Sequence, residues 1–255
     1  MLHAIDHLVI AVPDLAAAMK TYRDLGFTVV VGGRHPGVGT ANALIAFRDT
    51  SYLELLAFHE SRPDHRWWSA LAKGGGLVDF CLQTDDLAGD AKMLRQAGVG
   101  MGEIERGDRQ RPDGVEVRWA CVLARGAHRG VAPFLIAGEG SRDERVPRER
   151  AHANGVSGIG TVTVAVDDLP TVRHWYAQAL GTTGHDVIAP ELGAVGSRFA
   201  IGPHVFEFLA PTGSGPVRDW LTARGPSPYS ATLVGGHSPG PLDLRRTHGA
   251  RLALA

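Results

Sequence analysis

The chain has 255 residues, 44% of them hydrophobic and 21% charged, with a formal net charge of -1. That length buries a substantial core, and the near-neutral balance excludes a global field drawing the chain to nucleic acid or to an acidic membrane surface. Two cysteines, Cys81 and Cys121, stand in apolar runs; they exclude a disulfide scaffold and read as small buried hydrophobes in a reducing compartment.

Taken in order, residues 4–15 (AIDHLVIAVPDL) read as a strand. Pro13-Asp14 interrupts its apolar run and no basic region precedes it, so we expect no signal peptide, no transmembrane helix and a cytoplasmic protein. Strand side chains alternate, which puts Ile5, His7, Val9 and Ala11 on one side. Asp14 is placed as a helix N-cap; Leu15, Met19 and Tyr22 then share a helical face, and Gly26 is placed to end it. Strands follow at 29–32, 43–47 and 52–58, the last with Tyr52, Glu54, Leu56 and Phe58 on one side.

The pattern then repeats. Residues 76–87 (GLVDFCLQTDDL) and 158–169 (GIGTVTVAVDDL) again end in Asp-Leu, at Asp86 and Asp168. Helical faces follow at Leu87, Ala91 and Leu94 before Gly98, and at Val172, Trp175, Tyr176 and Ala179 before Gly181. Apolar closing strands come at 131–138 and 204–211. A fourth copy is abbreviated to residues 229–236 and 250–255, with no helix between them. Each unit reads as strand, helix and about three strands. The charged stretches 103–114 and 141–155 read as a loop, closed by a turn at Pro112-Asp113-Gly114, and as a connection between two halves, both with solvated charges.

His7 and Glu54 each sit alone inside an apolar strand. An unpaired polar group there costs on the order of 2–7 kcal/mol, so each needs a partner. The string GGRHPGVGTAN (32–42) offers a turn whose glycines allow close backbone approach, with Arg34, His35, Thr40 and Asn42 as donors. It reads either as a pocket wall, for His35, Thr40 and Asn42 above Arg34, or as a plain hairpin. Arg118 and Trp119 occupy opposite sides of one strand, so one of them faces inward. Trp67-Trp68 reads as a rim or as cover for the core edge. No phosphate loop, nucleophile elbow, zinc-protease helix or dinucleotide fingerprint is present.

The repeated unit, with His on a first strand and Glu on a last one, resembles the vicinal oxygen chelate superfamily. Its glyoxalase-like branch is the nearer match, through IDHLVIAVPDL, LGF, GGRHPGVGTANALIAF, YLELL, RPDGVEVRW, PFLI and HANGV. The resemblance implies an α+β fold of tandem βαβββ modules, with curled mixed sheets forming cup-shaped half-barrels. It also implies two halves: 1–145 as a glyoxalase-like domain of two paired units with the main site, and 146–255 as one unit plus a degenerate one. His7 and Glu54 then meet in the first cup, with Asp79 opposite His7 and Phe134 opposite Glu54 in the second unit.

Phenylalanine at that position disfavours a glutathione-dependent glyoxalase I. Thr161 beside Glu207, with no histidine, disfavours an extradiol dioxygenase. What the resemblance leaves is a protein acting on a small oxygenated metabolite by isomerase or lyase chemistry. His7 and Glu54 are the catalytic candidates, His35, Thr40, Asn42, Arg118 and Phe134 the substrate-binding ones. One divalent ion (Zn, Mn, Fe or Ni) on His7, Glu54 and Asp79 is a metal-assisted version; the alternative for Asp79 is an ion pair with an arginine inside the cup. A metal-free binding or sequestering protein is the other reading. The expected partner is a small molecule, not nucleic acid or membrane, and the chain reads as a monomer or homodimer.

Overall fold

A computed structural model of the chain describes residues 2–255. The first unit is β1 (Leu2–Ala11), α1 (Leu15–Asp24), β2 (Val30–His35), β3 (Thr40–Ala46) and β4 (Tyr52–Phe58). A short α2 (Trp68–Ala72) leads into the second: β5 (Gly76–Thr84), α3 (Leu87–Gln96), β6 (Met101–Gln110), β7 (Glu116–Ala124) and β8 (Phe134–Gly138). One turn of helix, α4 (Arg142–Arg145), precedes the third: β9 (Gly158–Ala165), α5 (Leu169–Leu180), β10 (His185–Ala189), β11 (Ala194–Ile201) and β12 (His204–Pro211). After α6 (Pro216–Arg224) come β13 (Ser227–Val234), β14 (Gly240–Pro241) and β15 (Leu252–Leu254), with no helix between β13 and β14. No helix among the described residues is long and apolar enough to cross a membrane.

The three Asp-Leu signals act as the sequence predicts. Asp14, Asp86 and Asp168 accept from the backbone N–H of Ala17, Gly89 and Thr171 and so cap α1, α3 and α5. Each such cap is worth about 1 kcal/mol. The stretch 103–114, expected to be a loop, is instead strand up to Gln110. Its charged residues alternate across a ribbon whose outer face meets solvent, which hides the pattern of a strand.

The first two units close into an eight-stranded barrel in the order β1-β4-β3-β2-β6-β7-β8-β5, while the remaining seven strands form an open sheet. Closure depends on Gly33: its φ is 143°, and a Cβ there would stand 2.0 Å from the Gln110 carbonyl oxygen across the seam. Outside the barrel, Leu8, Ile10, Leu53 and Phe80 join Phe206, Phe208 and Leu233 from the second sheet in one core. Inside it, Val9, Leu56, Cys81, Phe134 and Ile136 form a smaller apolar cluster. Ile5 leaves the predicted face. An irregularity in the β1–β5 register between Ile5 and His7 sends Ile5 to the outer core and leaves Asp6 and His7 hydrogen-bonded to each other.

Candidate functional site

The parallel pairing of β1 with β4 sets His7 beside Tyr52 and Val9 beside Glu54. Tyr52, Glu54 and Leu56 then line one cavity, as their alternation predicts, together with His7, His35, Thr40, Asn42 and Phe134; its volume is about 460 Å³. His7 Nε2 lies 3.4 Å from Glu54 Oε2, with the two side chains 4% and 9% exposed. That spacing is an ion pair rather than a tight hydrogen bond.

Both groups are held from behind. His7 Nδ1 donates to Asp6 Oδ1 at 2.8 Å, and Asn42 Nδ2 donates to Glu54 Oε1 at 2.6 Å. The imidazole also stacks on Tyr52, centroids 4.6 Å apart, and meets the edge of Phe134 at 5.2 Å. Glu54 Oε2 and His7 Nε2 are thus the polar atoms left toward the cavity. His35 is tied to Thr40 Oγ1 at 2.8 Å, and burial lowers its imidazole toward the neutral form.

Charge fixes the protonation states. Burial pushes the Glu54 carboxyl up, but the His7 imidazolium, the nearby His35 and the Asn42 bond together bring it down to about 2. Burial disfavours a charged His7, yet its contacts with Asp6 and Glu54 prevail and raise it above 6.5. Asp6 is held well below the usual carboxylate range, against burial, by the Arg145 charge and by bonds from Arg145 and His7.

Stability therefore has two pH arms. The depressed Glu54 contributes above its ordinary 4.5, a contribution lost as pH falls toward about 2. The raised His7 contributes fully below 6.5 and loses that contribution as pH rises through its folded value. Buried histidines with lowered values act with the opposite sign, so the difference between proteins is the informative quantity. We expect His7→Gln to close the stability gap to wild type progressively above pH 6.5 in urea titrations; a gap constant across that range refutes the assignment.

Several side chains depart from expectation. Arg118 lies outside the cavity, 64% exposed and bound to Glu116, because the β7 pleat turns Trp119 inward instead. Arg34 is likewise exposed. Asp79 follows the ion-pair alternative rather than the ligand one: it is buried with Arg66 Nη2 at 2.7 Å, Trp67 Nε1 donates to Oδ2 at 2.9 Å, and the Phe80 N–H to Oδ1 at 3.0 Å. The arginines of 141–155 are not all solvated: Arg145 is buried on Asp6, and Arg142 reaches the same carboxylate. Asp6, Arg145, Arg109 and Arg66 were all missed. The one sequence signal for them was a second carboxylate directly before His7.

A metal centre fits this donor set poorly. Among the described residues, His7, Glu54 and Asp79 do not converge within 4.8 Å; the trio that does is Asp6, His7 and Cys81. Arginine charges already neutralise Asp6, and burial lifts the Cys81 thiol well above its ordinary value. A resident divalent ion wants three or four free donors; His7 Nε2 and Glu54 Oε2 are two, and Phe134, the second unit's counterpart of Glu54, offers none.

The fold is α+β with curled mixed sheets, and the chain belongs to the glyoxalase-like domain family, whose model matches residues 5–180. Among solved structures, a hypothetical protein from Staphylococcus aureus superposes with TM-score 0.72 at 15% identity, covering 98% of both chains. A 4-hydroxymandelate synthase mutant from Streptomyces coelicolor gives TM-score 0.60 at 17% identity over 91% of this chain and 71% of that one. A methylmalonyl-CoA epimerase, in complex with methylmalonyl-CoA and an ammonium ion, is 30% identical over 55% of this chain and 97% of its own, with TM-score 0.45. Comparison with curated proteins gave no match.

Proposed function

We propose that the barrel cavity binds a small oxygenated metabolite, and that His7 and Glu54 transfer a proton at the carbon next to its carbonyl, without a resident metal. The observation that carries this is the 3.4 Å gap between His7 Nε2 and Glu54 Oε2, opening on the cavity while both groups are fixed from behind. A carbonyl oxygen entering beside Nε2 takes the imidazolium donor. Glu54 then loses the contact that depresses its basicity most and regains the strength of a general base. The Cα–H proton passes to Oε2, its bonding pair forms the enolate double bond, and the charge collects on the oxygen facing His7. Return of the proton from Oε2 to the neighbouring carbon, with the hydroxyl proton of a 2-hydroxycarbonyl compound shifted between the two oxygens through His7, gives an isomer; expulsion of a β-substituent with its bonding pair gives a lyase.

The rival is a sequestering protein. Phe134 offers such a ligand an apolar wall, and a carboxylate held at about 2 is a weak base while His7 stays paired to it. Deuterium exchange separates the two. With a panel of small 2-oxo and 2-hydroxycarbonyl compounds in D2O followed by NMR, wild type should wash out the α-proton of those it binds. Glu54→Gln should slow that exchange by roughly 10²–10⁴-fold while keeping affinity. Binding without exchange in wild type moves the assignment to sequestration. Unchanged exchange in Glu54→Gln removes Glu54 as the base.

A further inference from the structure

The two sides of the cavity differ in kind. In the barrel order β1, β4, β3 and β2 are contiguous, and they bring His7, Glu54, Asn42, Thr40 and His35 to the interior. The strands β7 and β8 bring Trp119, Cys121, Leu123, Phe134 and Ile136 by the same alternation, with no charged or hydroxyl group among them. Register ties the two sides together. His7 pairs with Cys81 on β5 and Cys81 with Phe134 on β8, while the pairing of Val122 with Leu135 sets Leu123 beside Phe134. The apolar wall thus begins at the Phe134 ring, whose edge meets His7, and runs away from the His7–Glu54 gap.

The protein does not finish covering this wall. Phe134 and Ile136 are buried, but Trp119, Cys121 and Leu123 are only half-buried although they point into a closed barrel. Trp119 has a prepared seat. It pairs with Gly107 of β6, where a Cβ would stand 2.6 Å from the indole Nε1, so the ring rests against bare backbone. The His35 ring meets the indole in a T-shaped contact at 5.8 Å. Charged side chains around the cavity are spent on one another: Arg62 on Asp64, Arg66 on Asp79 and Arg125 on Glu105. Uncovered apolar surface beside two fixed polar groups is the pattern of a site whose ligand is polar at one end only.

We infer that the metabolite carries, next to its reacting carbonyl, an apolar group with the bulk of a phenyl ring, seated on Trp119, Leu123 and Phe134. Covering that wall removes apolar surface from water on both partners, and a ring against the indole adds an aromatic contact. Gly107 then determines specificity, since any side chain there moves the indole. The inference rests on the proton-transfer reading for which end reacts, but not for where the apolar group sits.

Three neutral hydroxyketones test it, each titrated by ligand-detected NMR: hydroxyacetone, 2-hydroxyacetophenone and the polar ribulose. The acetophenone should bind at least tenfold more tightly than hydroxyacetone, the order expected for roughly five more buried apolar carbons, and more tightly than ribulose. Trp119→Ala and Gly107→Ala should each cost the acetophenone at least fivefold and alter hydroxyacetone less than twofold. Gly107→Ala keeps the indole and only displaces it, and the wild-type series decides even where a variant fails to fold. In D2O the same compounds report exchange at the hydroxymethyl carbon. Acetophenone binding that depends on Trp119 but brings no exchange retires the proton-transfer reading and leaves the apolar wall standing; exchange of all three with no preference does the reverse. Equal affinity for the acetophenone and hydroxyacetone overturns the inference. So does tighter binding of ribulose, a wild type that binds none of the three at millimolar concentration, or an acetophenone affinity untouched by both substitutions.

Discussion

Replacing Asp6 with asparagine should lower the free energy of unfolding by about 3–5 kcal/mol, the usual loss when a buried charge is stripped of its partner. Asp6 is fully buried and carries four polar contacts. Arg145 grips both oxygens at 2.7 Å, Arg142 reaches Oδ2 at 2.6 Å, and His7 Nδ1 reaches Oδ1 at 2.8 Å. The asparagine amide keeps one acceptor and turns the other position into a donor aimed at a guanidinium. Arg145, with its side chain 7% exposed, is then left charged without its counter-ion.

The deficit should be pH-dependent. The depressed Asp6 contributes above its ordinary 3.8, and the contribution disappears as pH falls through its lower folded value. Urea titrations of wild type and Asp6→Asn should therefore differ most near neutrality and converge in acid. A neutral-pH difference under about 1 kcal/mol would place the Asp6–Arg145 pair among contacts that roughly break even with their desolvation. The same variant should lower the His7 titration seen by NMR, since Asp6 is the largest favourable influence on the imidazolium.

This carboxylate shows where sequence reading stops. His7 and Glu54 were legible because each interrupts an apolar alternation, and alternation depends only on neighbours along the strand. His35, Thr40 and Asn42 were legible because a hairpin puts its alternate residues on one wall. The caps at Asp14, Asp86 and Asp168 are local in the same way. Asp6 was not legible as the partner of His7, since neighbours along a regular strand face opposite sides and the irregular register against β5, where the two side chains meet, depends on the partner strand. Arg145, Arg142 and Arg66 come from charged, aperiodic segments; nothing within 141–155 distinguishes an arginine that folds back onto Asp6 from one that remains in water. Arg118 and Trp119 were left to a choice of faces that only the β7 pairings resolve. Local rules thus recovered most of the strands, though not β6 or β10, and part of the cavity lining, and the counter-charges required tertiary structure.

The second large effect concerns how the two halves of the chain hold together. Phe80→Ala should cost about 3–5 kcal/mol, the range for removing a buried phenylalanine and leaving its cavity. Phe80 is fully buried on the outer face of β5, its ring 5.0 Å from Phe206 of β12, and Phe206 lies 6.4 Å from Tyr176 of α5. These rings belong to one hydrophobic cluster shared by barrel and open sheet, so 1–145 and 146–255, proposed as separate halves, should unfold as one cooperative unit. Denaturant curves followed by circular dichroism and by tryptophan fluorescence should coincide in wild type and shift together to a lower midpoint in Phe80→Ala. Separate transitions would instead make the shared cluster a weak seam between independently stable halves.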